Sequence, residues 1–150
     1  MVYEINANID DMNSEIYSYI YEQILKMGAL DVYTQSIYMK KNRPAVKLSV
    51  ICEEEKLDEI VEFILKETTT LGIRYSKFSR KTLDRKMVKI KTKYGNISIK
   101  FAYYKSKILK YSPEYEECKV IAENFNIPLK VVYEDITCTV NKYLESFNKK

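Results

Sequence analysis

Residues 30–52 read LDVYTQSIYM, then KKNRP, then AVKLSVIC, and this stretch decides the fold. Leu30 to Met39 is rich in Val, Tyr, Thr and Ile, residue types that suit a pleated, half-buried surface, and is predicted as a strand. Val46, Leu48, Val50 and Cys52 alternate with Lys47, Ser49 and Ile51, the period-two signature of another strand with one face inward. The segment between them, Lys40-Lys41-Asn42-Arg43-Pro44, is too short for anything but a turn, so the two strands form an antiparallel hairpin. That turn also places three cations within four positions. Lys40, Lys41 and Arg43 together make an anion-sized focus of positive charge, and arginine in particular suits bidentate contact with phosphate.

Working outward, Val2 to Ile9 alternates with Tyr3, Ile5, Ala7 and Ile9 on one face and reads as a strand. Asp10-Asp11-Met12-Asn13 supplies N-cap candidates for a helix from Ser14 to Met27, whose Ile16, Ile20, Ile24 and Met27 recur at helical spacing. Gly28 suits a left-handed cap at its end. On the other side of the hairpin, Glu53-Glu54-Glu55 favours the start of a second helix. Its apolar stripe is Leu57, Ile60, Val61, Ile64 and Leu65, and Thr68-Thr69-Thr70 with Gly72 marks its stop. Ile73 to Phe78 reads as a fourth strand.

The sum is βαββαβ, the ferredoxin-like unit. Closed as an antiparallel sheet in the order 4-1-3-2, it brings three connections to one edge: the end of strand one, the turn between strands two and three, and the link from the second helix to strand four. Connectivity then gathers Asp10, Asp11, Lys40, Lys41, Asn42, Arg43, Glu67, Thr68, Thr69, Thr70 and Arg74. Gly28 and the triple glutamate fall at the opposite edge.

Beyond Arg80 the pattern changes, and the expected division is a ferredoxin-like domain over 1–80 and a β-hairpin with two helices over 81–150, α+β throughout. Val88, Ile90 and Thr92 alternate with Lys89, Lys91 and Lys93, and Ile97, Ile99, Phe101 and Tyr103 do likewise across the turn Tyr94-Gly95-Asn96. A short strand around Ile108–Tyr111 follows. Pro113 opens one helix, with Tyr115, Cys118, Ala122 and Phe125 on a face; Pro128 opens another, with Val132, Ile136, Val140, Tyr143, Leu144 and Phe147 inward.

Charge is distributed unevenly. Residues 1–75 hold 8 basic and 13 acidic side chains, residues 76–111 hold 12 and 1, and residues 112–150 hold 5 and 7, within a net charge of +4. The basic block suits an anionic partner: a nucleotide, a nucleic acid, or an acidic protein surface. Cys52, Cys118 and Cys138 are odd in number and lack a CxxC pair, which argues against a disulfide framework or structural zinc. The chain has no histidine, so a metal here is expected to be a hard ion on oxygen ligands. No apolar run approaches ~18 residues, and a soluble, cytoplasmic protein is expected, with no membrane partner.

Each candidate has two readings. Asp10 and Asp11, with Glu67, would hold a divalent cation, or the aspartates simply cap the first helix. The cationic turn would bind phosphate, or is an ordinary charged turn. Thr68 to Thr70 would hydrogen-bond phosphate oxygens, or satisfy the helix C-terminus. The basic hairpin with Tyr103 and Tyr104 would stack nucleic-acid bases, or is a solvated face whose lysines guard a strand edge. Nucleic acid is not the expected partner.

Taken together NIDDM, YMKKNRP, ETTTLGIR, the TLDRK and KYG hairpin and PEYEEC…NIPLKVVY resemble the C-terminal domain of the LarC family, in the same order and across essentially the whole chain. The resemblance implies a CTP-dependent cyclometallase that inserts nickel into a pyridinium bis-thiocarboxylate mononucleotide to complete the nickel-pincer cofactor of lactate racemase. It implies CTP with magnesium or manganese, homo-oligomers, and a partner N-terminal domain that is not in this sequence. The chain is therefore expected to be the CTP-binding half. With that ligand in view, charge and donor type assign the roles: Lys40, Lys41, Asn42, Arg43, Thr68, Thr69 and Arg74 would bind nucleotide, and Asp10, Asp11 or Glu67 would hold the metal. Pro44-Ala45 stands where the family usually has glycine after proline. The alternative is a non-enzymatic, oligomeric regulatory or nucleic-acid-binding module.

Overall fold

A computed structural model describes residues 1–148, with side chains as far as Ser146. It divides into two compact units, Met1–Lys81 and Thr82–Lys150. The first contains β1 (Val2–Ile9), α1 (Glu15–Lys26), β2 (Asp31–Met39), β3 (Arg43–Glu53), α2 (Leu57–Glu67) and β4 (Arg74–Phe78). Its sheet runs β2-β3-β1-β4, every pair antiparallel. This is the order expected from the sequence. Both helices cover one face, where Ile5, Ala7 and Ile9 of β1 meet Ile20 and Ile24 of α1, Leu48, Val50 and Cys52 of β3, and Leu57, Ile60 and Ile64 of α2.

The helix-free face of this sheet is polar. Register aligns Tyr33, Ser49, Asn6 and Arg74 in one row across the four strands. Ser49 is fully buried there, its hydroxyl donating to Asn6 Oδ1 at 2.7 Å. Tyr33 donates its hydroxyl to Glu4 at 2.6 Å, and chiefly for that reason the Glu4 carboxyl sits below its ordinary value.

Two boundaries differ from expectation in ways that matter. Arg43 and Pro44 belong to β3, paired with Met39 and Tyr38, so the turn is only Lys40–Asn42. Proline is tolerated because pairing of β1 with β3 begins at Val46, leaving Pro44 on a locally free edge. Such a short turn requires left-handed backbone, at Lys41 (φ 62°) and Asn42 (φ 56°). The second difference is at the end of α2. Thr68, not Gly72, terminates it, and Gly72 lies further along in a connection of ordinary backbone. Gly28 does take the left-handed position after α1, at φ 98°.

The second unit is a meander of β5 (Asp84–Thr92), β6 (Gly95–Tyr104) and β7 (Lys107–Pro113), followed by α3 (Tyr115–Phe125) and α4 (Leu129–Asn148). Its core joins Ile90, Ile97, Ile99 and Phe101 to Cys118, Ile121, Val132, Ile136 and Val140. The hairpin loop is Lys93-Tyr94, one step earlier than the sequence suggests, with Thr92 paired to Gly95. β7 is longer than expected and ends on Pro113. On α3 the buried residues are Cys118 and Ile121, whereas Tyr115 and Phe125 are exposed. Phe147 lies outside the residues whose side chains are described. No described helix is long and apolar enough to cross a membrane.

Candidate functional site

Strand β1 ends at Ile9 on the same sheet edge as the β2–β3 turn and the α2–β4 connection, because β3 and β4 both run antiparallel to it. Three side-chain contacts close the gap between these segments. Arg43 Nη1 donates to Asp10 Oδ2 at 3.2 Å. Thr69 Oγ1 donates to Asp11 Oδ1 at 2.5 Å. Arg74 Nη2 donates to Asn8 Oδ1 at 2.9 Å. Each contact joins the end of β1 to one of the other two connections, so β1 is the hub.

The capping reading of the aspartates is not what their side chains do. At the start of α1 it is Asn13 whose Oδ1 accepts from the Glu15 N–H, at 3.1 Å, and Ser14 occupies the N-cap position without a side-chain cap bond. Asp10 and Asp11 are directed instead to the arginine and the threonine of the neighbouring connections. Asn13 is one of the N-cap candidates expected from the sequence, whereas Asn8, though part of the NIDDM stretch, carries no role of its own there. Asn8 was legible in hindsight as a polar residue closing β1 on the row of Lys47, its register partner.

The threonines divide. Thr68 gives its hydroxyl to the Ile64 carbonyl at 2.7 Å and accepts from the Thr70 N–H, and Thr70 donates to the Gly72 carbonyl. These are the local bonds that freed helix-end groups require. Thr69 alone faces another segment. Glu67, at the last position of α2, is exposed, and its side chain makes no hydrogen bond or ion pair to another described residue. Among the described residues no group of three or more acidic, cysteine or histidine side chains is placed to hold a metal ion. The structure thus brings Asp10 and Asp11 to the site but does not gather them with Glu67 into one cluster. Helix direction explains this: α2 ends at Glu67, and only the following residues reach back to β1.

Lys40 and Lys41 stand on the exposed turn and Arg43 opens β3 beside it, also exposed; Lys41 has left-handed backbone. A cleft of about 330 Å3 lies beside Asp10, bordered by α1 and the paired ends of β2 and β3. The second unit holds a larger cleft, about 600 Å3, between its sheet and α4, lined mainly by apolar side chains such as Phe101, Ile108 and Leu144. No carboxylate stands among the described residues that line it.

The first unit is therefore of a recognisable class: a βαββαβ fold whose one edge presents cations, two carboxylates and a hydroxyl from three connections. Residues 1–133 match the family described as nickel insertion protein, and the chain belongs to that family. It is 46% identical over 132 residues to the pyridinium-3,5-bisthiocarboxylic acid mononucleotide nickel insertion protein of Clostridium kluyveri, covering 88% of this chain and 33% of that one. The protein of the same name from Clostridium acetobutylicum is 47% identical over 134 residues, 89% of this chain and 32% of its own. The chain thus spans about a third of the length of these curated relatives. A solved structure described as LarC2, the apo C-terminal domain of a cyclometallase involved in synthesis of the NPN cofactor of lactate racemase, superposes with a TM-score of 0.88. It shares 38% identity, over 93% of this chain and 96% of that one. A protein from Methanopyrus kandleri, at 19% identity and TM-score 0.69 over 89% and 82%, shares the fold.

Proposed function

We propose that this chain is the metal–nucleotide-binding part of a CTP-dependent nickel insertase, acting with the remaining two thirds of sequence that its relatives possess to insert nickel into a pyridinium mononucleotide. One observation carries the reading: the Asp10–Arg43, Asp11–Thr69 and Asn8–Arg74 contacts, which draw three separate connections onto one edge.

On this reading Lys40, Lys41, Arg43 and Arg74 neutralise the triphosphate, and the Thr69 hydroxyl turns from Asp11 to donate to one of its oxygens. Asn42 stands between the turn cations, where its amide or backbone reaches the same ligand. Thr68 keeps its local bond and supports the connection. The donor set also suits a hard divalent ion. Magnesium and manganese take one or two carboxylates and complete their shell with phosphate oxygens and water, so Asp10 and Asp11 suffice when the ion arrives on the nucleotide. Glu67, which forms no cluster with them, is the third candidate. When bound, the ion supplies charge neutralisation between phosphate oxygens. What the chain itself does is bind and orient: arginine forks fix phosphate geometry, and the aspartates set the ion's side of it. Nickel, the cargo, favours imidazole nitrogen and thiolate sulfur; the chain has no histidine, and no cysteine stands among the described residues of this edge.

The test is thermal unfolding with a panel of nucleotides and manganese. A ligand that binds only the native state raises the melting temperature. A shift selective for CTP supports the reading. No shift with any nucleotide, or a shift with DNA or RNA alone, removes it, and the latter makes the basic hairpin the working surface.

A further inference from the structure

In the second unit α4 closes over the sheet through Val132, Ile136 and Val140, all buried in one core with Ile97, Ile99 and Phe101. Beyond Val140 the cleft of about 600 Å3 opens between the two layers, with Tyr143 and Leu144 on the helix side. That volume lies within the ordinary range of small-molecule sites, about 300–1,000 Å3.

What lines the cleft departs from the core beside it. The alternation that turns Ile90 and Val88 inward puts Lys86 on the same face, in register with Phe101. Lys93 and Lys100 are paired with Asp135 and Glu114, whereas the Lys86 ammonium makes no ion pair with another described residue. Tyr103 of β6 and Tyr143 of α4 supply aromatic rings from the two layers. A register shift at Tyr103 sets Ile108 opposite it and leaves Leu109 as the extra, exposed residue. Such bulges re-aim side chains and are common beside binding sites. An inward lysine also guards an edge strand, and β5 is one. Guarding, however, requires neither the aromatic rings nor the open volume.

We infer that this cleft receives the ring of a pyridinium substrate, with Tyr103 and Tyr143 against the ring cation and Lys86 pairing with one of its acid groups. The inference rests on the reading that the chain serves an enzyme acting on a pyridinium mononucleotide. Three properties of that ligand class are met here. A flat ring needs an apolar floor, and Phe101, Ile108 and Leu144 provide it. A delocalised positive charge is attracted to aromatic faces. Anionic substituents need a cation and no competing carboxylate, and Lys86 stands among lining residues that include no acid.

Two probes of nearly equal shape separate this site from general attraction to lysine. In 1-methylpyridinium-3,5-dicarboxylate the ring is positive; in benzene-1,3-dicarboxylate it is neutral and the molecule is one charge more negative. NMR titration of the isotope-labelled full chain reads both affinity and location. The pyridinium probe is expected to shift the signals of Lys86, Tyr103 and Tyr143. It is expected to bind roughly 2- to 30-fold more tightly than the benzene probe, the ratio a cation–aromatic contact supplies. Attraction to lysine alone gives the reverse order. Lys86→Met is expected to weaken the pyridinium probe roughly 2- to 5-fold, while Lys86→Arg retains it. Because Lys86 is exposed, both variants keep the melting temperature of the unaltered chain, which is measured alongside. Equal or reversed affinities, shifts confined to Met1–Lys81, or undiminished binding to Lys86→Met overturn the inference. Magnesium with CTP is titrated in parallel. A chain that binds CTP but gives one of those results keeps the proposed nucleotide role and loses this site. If the pyridinium probe behaves as expected and CTP does not bind, the cleft stands and the nucleotide role falls. If neither binds, both fall.

Discussion

Arg43 and Asp10 form an ion pair in which the arginine side chain is 55% exposed and the aspartate 19%. Solvent screens such a pair, and its contribution to stability is about 0–1 kcal/mol. The same arginine facing a triphosphate makes charge-assisted bonds of about 1.5–3 kcal/mol. Arg43→Ala is therefore expected to change the denaturation midpoint little while weakening CTP binding tenfold or more by calorimetry. Equal losses in both, or unchanged affinity, would take Arg43 out of the site. Glu4 gives a second prediction at this scale. Its carboxyl is held below 4.5, first by the Tyr33 hydroxyl, with Lys47 and Arg74 contributing more weakly. A lowered folded-state value means stability that is present above the unfolded pKa and lost as pH falls through the folded one. The melting temperature of the unaltered chain should thus drop on acidification below about pH 4.5, and Glu4→Gln should flatten that part of the profile. A profile identical in the two proteins would mean the Tyr33 bond does not favour the ionised form.

Among the elements, the β2–β3 turn shows how far local sequence reaches. Alternation in Leu30–Met39 and Val46–Cys52 made the hairpin legible, since a period of two cannot be mistaken when one face is buried. The turn's length was not legible, because proline was read as turn material; only the early end of β1 explains why β3 accepts Pro44. The same holds at the site. Topology follows from element order, so the meeting of Asp10, Arg43 and Thr69 could be read from the chain. Which threonine faces outward depends on where α2 stops, and one hydroxyl bond from Thr68 to Ile64 decided that. The capping role of Asn13 was hidden for a similar reason, since several polar residues preceded α1 and only one could occupy the required geometry. The turn itself yields a prediction with opposite signs. A non-glycine residue in left-handed backbone costs about 1–2 kcal/mol, whereas glycine adds about 0.5–1 kcal/mol of unfolded-chain freedom. Lys41→Gly should therefore be neutral to slightly stabilising, by up to about 1 kcal/mol in denaturant melts, yet bind CTP more weakly. A Lys41→Gly chain that is both more stable and fully competent would show that the strained lysine serves no ligand.

At the scale of the molecule, every residue proposed for nucleotide and metal lies in Met1–Lys81, and that unit has its own core of twelve buried residues. Its sheet is complete without the second unit, since β4 ends at Phe78 and all four strands pair among themselves. A domain of about 80 residues is near the lower range in which a single core suffices, so modest stability is expected of it alone. The fragment 1–81 should nevertheless unfold cooperatively and respond to ligand. At a free concentration one hundred times its dissociation constant, a ligand specific for the native state adds about 2.7 kcal/mol. For a chain of this size that corresponds to roughly 10–20 °C in melting temperature. Magnesium with CTP should then stabilise the fragment by the same free energy as the full chain at matched saturation, measured by denaturant melts of both. A fragment that folds but does not shift, beside a full chain that does, would mean that residues beyond Lys81 complete the site.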